Sequence, residues 1–367
     1  MAGGDCGTLY VIGKEGIEMM SSFADRAIMT KAMSMYGRRI TTEQYMELMH
    51  KKSVGDIAAF LRDTPGYRNA LEGIQPSTIH RGQLEMMLRK ERFARYLRLL
   101  HYDSSPPGDS YYGYLTKQFE IDQILQMIQL LNAGNPEQFI SRFPAFFEKY
   151  SVLDMLRLAQ VRNFDELVQA LRGTDYEKLL MQCRPAAGDE KIDYTNCEIT
   201  LMSYYYEHVE EIIDRKFHGK TKKQLHELFQ INVELFNVIT VYRLKKYFPE
   251  TPPEFVRKCI LPIWKRIPQK QLERMVHAPT ADAFIDEIVH SPFNKLIGSD
   301  DFTYLEYKTG EIVYRAGKRF LRFATDAPTS FTAYMYLCNI ELTNITTIIE
   351  GVRYGVSPSE IKRMLIL

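Results

Sequence analysis

One line of sequence is written three times in this chain. The first copy is "YMELMHKKSVGDIAAFLRDTPGYRNAL", residues 45–71; "MLRLAQVRNFDELVQALRGTDYEKLL" starts at Met155 and "LERMVHAPTADAFIDEIVHSPFNKLI" at Leu272. With Leu48, Leu158 and Met275 aligned, an apolar pair falls at the same offset in each copy: Ile57-Ala58, Leu167-Val168 and Phe284-Ile285. Leu61, Leu171 and Ile288 share the next offset. Each copy then breaks at "TPGY", "TDY" or "SPF" and closes on Leu71, Leu180 or Ile297. The pattern predicts two short helices, a turn that ends the second, and an apolar residue that closes the module.

A second element recurs downstream as "FEIDQIL" from Phe119, "FQINVEL" from Phe229 and "CNIELTN" from Cys338. In the register of the shared Ile, the polar residues Asp122, Asn232 and Glu341 align. The first two copies of both elements lie 110 residues apart, and the third copy of the second element lies 109 further on, which indicates duplication. Each unit spans about 110 residues, enough to bury a core of its own. The expected architecture is all-α, with three similar units (1–135, 136–247 and 248–367) related by a pseudo-threefold axis and forming a funnel.

The rest of the chain also reads as helix. Apolar residues recur at three and four, as in Leu84, Met87 and Leu88, then Ala94, Leu97 and Leu100. Pro and Gly mark the expected breaks at 104–110, 132–136, 184–190, 248–253 and 325–330. Thr41 before Thr42-Glu43-Gln44 predicts an N-cap, and Ser357-Pro358 predicts the start of the last helix. Alternating strand patterns are nearly absent.

Composition narrows the function classes. The chain has 47 basic and 46 acidic residues among 367, so it lacks the basic excess of a nucleic-acid binder. No segment is apolar and long enough to span a bilayer, and the start shows no secretory pattern, so a soluble, intracellular chain is expected. The five cysteines are scattered with no C-x-x-C pair, which argues for small buried residues rather than a disulfide framework or a zinc site.

Reaction chemistry has no evident seat. "FHGKTKKQ" (217–224) contains Gly-Lys-Thr without the first Gly of a phosphate loop or a strand before it. The histidines share no converging spacing, "HELFQ" lacks a second His, and no G-x-S-x-G occurs. "GSDDFTY" (298–304) sits at a helix break, where Asp normally caps. No catalytic, cofactor-binding or metal residues are therefore expected. Asp122, Asn232 and Glu341 have two readings: polar positions on a solvated face beside a core Ile, or an inner wall of the funnel that touches something on its axis.

The residues also carry a resemblance. "RAIMTKAMSMYGRRITTEQYMELMHKKSVGDIAAFLRDTPGY" (26–67) resembles the opening of the C subunit of bacterial and archaeal V/A-type ATPases, whose eukaryotic counterpart is the d subunit of the vacuolar proton pump. The matching positions are Ile40-Thr41, Tyr45, Leu48, Asp56, Leu61, Thr64 and Tyr67. The tail "NITTIIEGVRYGVSPSEIKRMLI" (344–366) is similar to that family's ending at Asn344, Ile348, Gly355, Ser357, Pro358, Glu360 and Ile361. "FEIDQIL" departs from the family by lacking the Asn that often follows the acidic residue, whereas Glu341 and Asn344 keep something close to it.

The resemblance implies a helical funnel on the cytoplasmic face of a rotary ATPase. Its base would sit on the membrane proteolipid rotor ring, and its socket would receive the D and F subunits of the central stalk. It would be a peripheral component with no active site, cofactor, nucleic-acid partner or small-molecule substrate, passing torque for proton or sodium transport. The candidate partner-binding residues are Asp122, Asn232, Glu341 and Asn344, with Arg38, Arg39, Lys362 and Arg363 reaching for partner acids. A helical adaptor for unrelated soluble partners and a helical enzyme with a hidden site are the alternatives.

Overall fold

A computed structural model describes residues 14–103, 105, 110–142, 145–186, 191–294 and 305–367. Every regular element among them is helical and none is a strand, as the periodicity predicts. Helix α1 (Lys14–Tyr36) leads into the short helices α2 (Thr42–Met49) and α3 (Val54–Asp63), then the long pair α4 (Arg81–Leu100) and α5 (Tyr114–Asn132). A second round follows with α6 (Phe139–Arg142), α7 (Met155–Ala159), α8 (Phe164–Ala170) and α9 (Asp175–Gln182), then the long pair α10 (Tyr194–Lys216) and α11 (Gly219–Tyr247). The third has α12 (Pro253–Lys258), α13 (Gln269–His277) and α14 (Ala281–Val289), then α15 (Leu305–Phe323) and α16 (Ala327–Arg353); α17 (Pro358–Arg363) ends the chain. Ile297 and the segment 298–304 lie outside the described residues, as does the start 1–13.

The short helices form where they do because their first turns are capped by their own side chains. Ser53, Asn163 and Thr280 occupy one position in the three copies, and each accepts the backbone N–H three residues on, from Asp56, Glu166 and Ala283. Thr41 and Gln44 exchange reciprocal bonds in a capping box at α2. Each such cap stabilises its helix by about 1 kcal/mol. At the end of α16 the chain reverses at Gly355, whose φ of 68° only glycine adopts without strain, and Val356 N–H returns to Gly351 C=O over 2.9 Å. Ser357 then caps α17 at Glu360 N–H.

The long helices come as antiparallel hairpins. Only Phe217-His218 separate α10 from α11, and Gly219 turns the chain at a φ of 57°. α11 runs for 29 residues, about 43 Å at 1.5 Å per residue. The hairpin ends meet in an aromatic cluster. Tyr111 packs edge-on to Phe217 at 5.0 Å, Tyr112 to Phe331 at 4.8 Å, and Tyr114 to Phe229 at 5.2 Å. Tyr111 also hydrogen-bonds Thr332 over 2.7 Å. These contacts lock α5, α11 and α16 together at one end.

One core runs through all three hairpins. A second core joins the two ends of the sequence: Leu48, Ile57, Leu61 and Leu71 pack with Ile345, Ile348, Ile349, Ile361 and Leu365. The first short-helix module is thus held by the last long helix.

Candidate functional site: three buried carboxylates and a polar cluster

Each long inner helix carries one buried glutamate, and each glutamate receives a short-helix module. On α5, Glu120 Oε1 accepts from Ser151 Oγ and Val152 N–H at 2.8 Å each, and Oε2 accepts from Tyr176 O–H at 2.7 Å. On α16, Glu341 Oε2 accepts from Ile40 N–H at 2.9 Å, and Oε1 accepts from Tyr67 O–H at 2.6 Å and Arg95 Nη1 at 2.8 Å. On α11, Glu234 Oε1 accepts from the N–H groups of Lys265 and Arg266. The module entering the clamps of α5 and α11 is the one that follows that helix in the chain; at α16, which α17 follows, the module is the first one.

The third clamp differs from the others. Tyr67 and Tyr176 hold the aromatic position after the module's turn, where the third copy has Phe293. Glu234 Oε2 makes no hydrogen bond among the described residues, and Arg266 Nε lies 3.8 Å from it. Burial pushes the Glu234 carboxyl upward, against the pull of the Arg266 and Lys265 amides and the Arg266 charge. Tyr67 is likewise pushed well above the usual phenol range, first by burial and then by Glu341.

A carboxamide stands one turn beyond each glutamate: Gln123, Asn237 and Asn344. Asn237 exchanges two bonds with the backbone of Leu261, at 2.9 and 2.8 Å. Asn344 does the same with Ile366, at 2.6 and 2.8 Å. Gln123 is buried, and its Oε1 is unsatisfied among the described residues. The signal that finds these residues is therefore E-x-x-[NQ], read as Glu120-x-x-Gln123, Glu234-x-x-Asn237 and Glu341-x-x-Asn344.

The expected site residues separate into two environments. Glu341 and Asn344 are buried and engaged inside the protein. Asp122 and Asn232 share neither that environment nor that depth. Asn232 is half-buried and donates to Tyr206 O–H at 3.3 Å. Asp122 is exposed, yet the surrounding protein raises its carboxyl to about 6, with Arg92 and Arg89 pulling it back down. Arg92, which sequence reasoning missed, lies beside it. Its guanidinium stacks on Phe119 at 4.7 Å and donates to Asn339 on α16.

The basic candidates lie elsewhere. Arg38, Lys362 and Arg363 are exposed. Arg39 is half-buried, stacks on Tyr36 at 4.2 Å, donates to its carbonyl oxygen, and lines a small recess with Glu341, Asn344 and Ile366. Among the described residues no group of His, Cys, Asp and Glu converges as a metal site. No helix there is long and apolar enough to cross a membrane.

Comparison with known proteins adds a family. The family described as ATP synthase (C/AC39) subunit matches residues 28–364. The A-type ATP synthase C subunit of Methanosarcina mazei is 22% identical over 349 residues, covering 92% of this chain and 91% of that protein. That of Pyrococcus abyssi is 19% identical over 340 residues, covering 90% and 87%. That of Methanosarcina acetivorans is 22% identical over 351 residues, covering 92% and 91%.

Proposed function

The chain belongs to the ATP synthase (C/AC39) subunit family, and from that membership we propose that it is the non-catalytic adaptor joining the central stalk of a rotary ATP synthase to its membrane rotor ring. In this reading the three sequence units, 1–135, 136–247 and 248–367, are related by a pseudo-threefold axis. They form a funnel on the cytoplasmic face, peripheral to the membrane. The D and F subunits of the stalk enter the socket and the proteolipid ring lies under the base.

The observation that carries this reading is the closure of the chain on itself through Glu341, Ile40 and Tyr67. An adaptor must not yield locally while several charges cross the membrane, each worth about 2.3 kcal/mol at 100 mV. Local opening below that sum would dissipate the torque. Packing the first module onto the last long helix ties it down, and the buried carboxylates of Glu120 and Glu341, with both oxygens of each engaged, hold two of the modules in one register. Asp122, Asn232, Arg92 and Asn339 then offer a mixed polar and charged cluster, suited to a stalk end. Arg38, Arg39, Lys362 and Arg363 offer cations to partner acids. Glu341 and Asn344 act through the fold by holding the first module and the C-terminus.

Reconstitution tests the proposal. The purified chain is mixed with the D and F stalk subunits and, separately, with the proteolipid ring in detergent. Binding to both supports the adaptor role. Binding to neither, with the fold intact, overturns it and leaves an adaptor for unrelated soluble partners.

A further inference from the structure

A small polar recess lies against the seam between the first module and α16. Tyr36 at the end of α1, Tyr314 on α15, and Tyr334 and Glu341 on α16 line it, together with Arg39 and Arg95. Its volume is about 30 Å³. A water needs about 10–15 Å³ and two to four polar partners, so the space suits about one or two waters.

Two phenols in this wall have buried hydroxyls. The oxygens of Tyr36 and Tyr334 make no hydrogen bond among the described residues, and Tyr334 is 1% exposed. Tyr314 stands beside Tyr36 and the Cys338 thiol beside Tyr334, but neither contact has hydrogen-bond geometry. Native proteins rarely leave a buried hydroxyl unpaired, because its desolvation is then uncompensated. Burial raises both phenols, Tyr36 to about 12, and Glu341 adds to the rise in each. Both therefore keep their protons at neutral pH and act as donors. An acceptor faces the same space. Ile40 N–H takes one lone pair of Glu341 Oε2, over 2.9 Å, and a carboxylate oxygen accepts a second bond as well.

The wall selects the occupant. The space is far below the roughly 300 Å³ at which sites for organic ligands begin. A divalent cation takes several carboxylate oxygens, whereas here one carboxylate stands beside two guanidinium groups. An anion would lie against that carboxylate. A small neutral molecule that both accepts and donates answers two phenol donors and one carboxylate acceptor together. We propose that this recess binds an ordered water, which accepts from Tyr36 O–H and Tyr334 O–H and donates to Glu341 Oε2. The water ties α1 to α16 beside the Tyr67 and Arg95 contacts, and so extends the closure of the first module. It does not depend on the adaptor role above.

A crystal structure of the full chain, grown with bromide in place of chloride, tests the site. A water-sized density peak within about 3 Å of both phenol oxygens, with no anomalous bromide signal, is expected. Single-hydroxyl variants ask the same question in solution. Removing a hydroxyl that a water satisfies lowers the denaturation midpoint, whereas removing an unpaired one raises it. The midpoints of Tyr334→Phe and Tyr36→Phe are both expected to fall, and crystals of Tyr334→Phe should lose the peak while keeping the backbone in place. A recess without density, a bromide in it, or a Tyr334→Phe midpoint that holds or rises would overturn the proposal.

Discussion

The hydroxyl of Tyr67 lies 2.6 Å from Oε1 of Glu341, although 274 residues separate them in the chain. Arg95 joins the same oxygen, and Ile40 N–H occupies the other. The contact is the seam at which a linear sequence becomes a closed body.

Cutting that seam should be costly. Glu341→Ala leaves the buried Arg95 guanidinium without its 2.8 Å partner, although Glu91 remains at 3.3 Å. A loss of about 3 kcal/mol is expected, the lower end for breaking a buried pair. Urea unfolding measures the loss, and hydrogen exchange should speed up most in residues 40–71. Wild-type stability in this variant would mean that the closure contributes nothing.

The odd clamp is open to repair. Phe293→Tyr should supply the hydroxyl that Glu234 Oε2 lacks and raise stability by about 1 kcal/mol. Tyr176→Phe should do the opposite at Glu120, costing about 1–3 kcal/mol. Denaturation midpoints of the two variants should move in opposite directions. A fall for both would show that the third module has no room for the oxygen.

Asp122 sets a pH dependence. Its native value of about 6 lies above the ordinary 3.8. Between those values the native state keeps a proton that the unfolded chain has released, so rising pH costs stability across that window and none above it. Carboxyl NMR should place the midpoint near 6. Asp122→Asn should flatten the decline between about pH 4 and 6 in paired denaturation series. A midpoint near the ordinary value would show that water screens this carboxyl fully.

Helix α17 rests on a missing side chain. A Cβ at Gly351 would meet Ile361 Cδ1 and Cγ1 at 2.6 Å. Gly351→Ala should cost about 1–3 kcal/mol by overpacking. Combining it with Ile361→Val should cost less than the two single losses added. Additive losses in a double-mutant cycle would count against the contact.

Partner binding should separate from stability. If the cluster of Asp122 and Asn232 receives the stalk, Asp122→Asn with Asn232→Ala weakens the affinity for the D and F subunits about tenfold, the loss of one or two polar contacts. The fold should be retained, since neither side chain is fully buried. Glu341 variants must be scored apart, because they loosen the fold itself.

Much of the fold was legible in the sequence because the signals are local. Ser53, Asn163 and Thr280 cap helices three residues ahead, and Gly355 with Ser357-Pro358 ends one helix and starts the next. Aligning the second element on its Ile paired Asp122 with Asn232 and Glu341, whereas the shared environments belong to Glu120, Glu234 and Glu341. Two residues turn a helical side chain by about 200°, enough to move it from the core toward the surface. A text alignment of weakly similar helices does not fix that rotation.

Periodicity, caps and triplication were therefore determined by the sequence alone, since each depends on residues near one another in the chain. Which long helix holds which module was decided only by tertiary structure. The three modules present nearly the same apolar face, so local pattern gives no preference among three similar grooves. The choice falls to chain connectivity for two of them, and for the first module to the Glu341 carboxylate and the C-terminal helix that meet it.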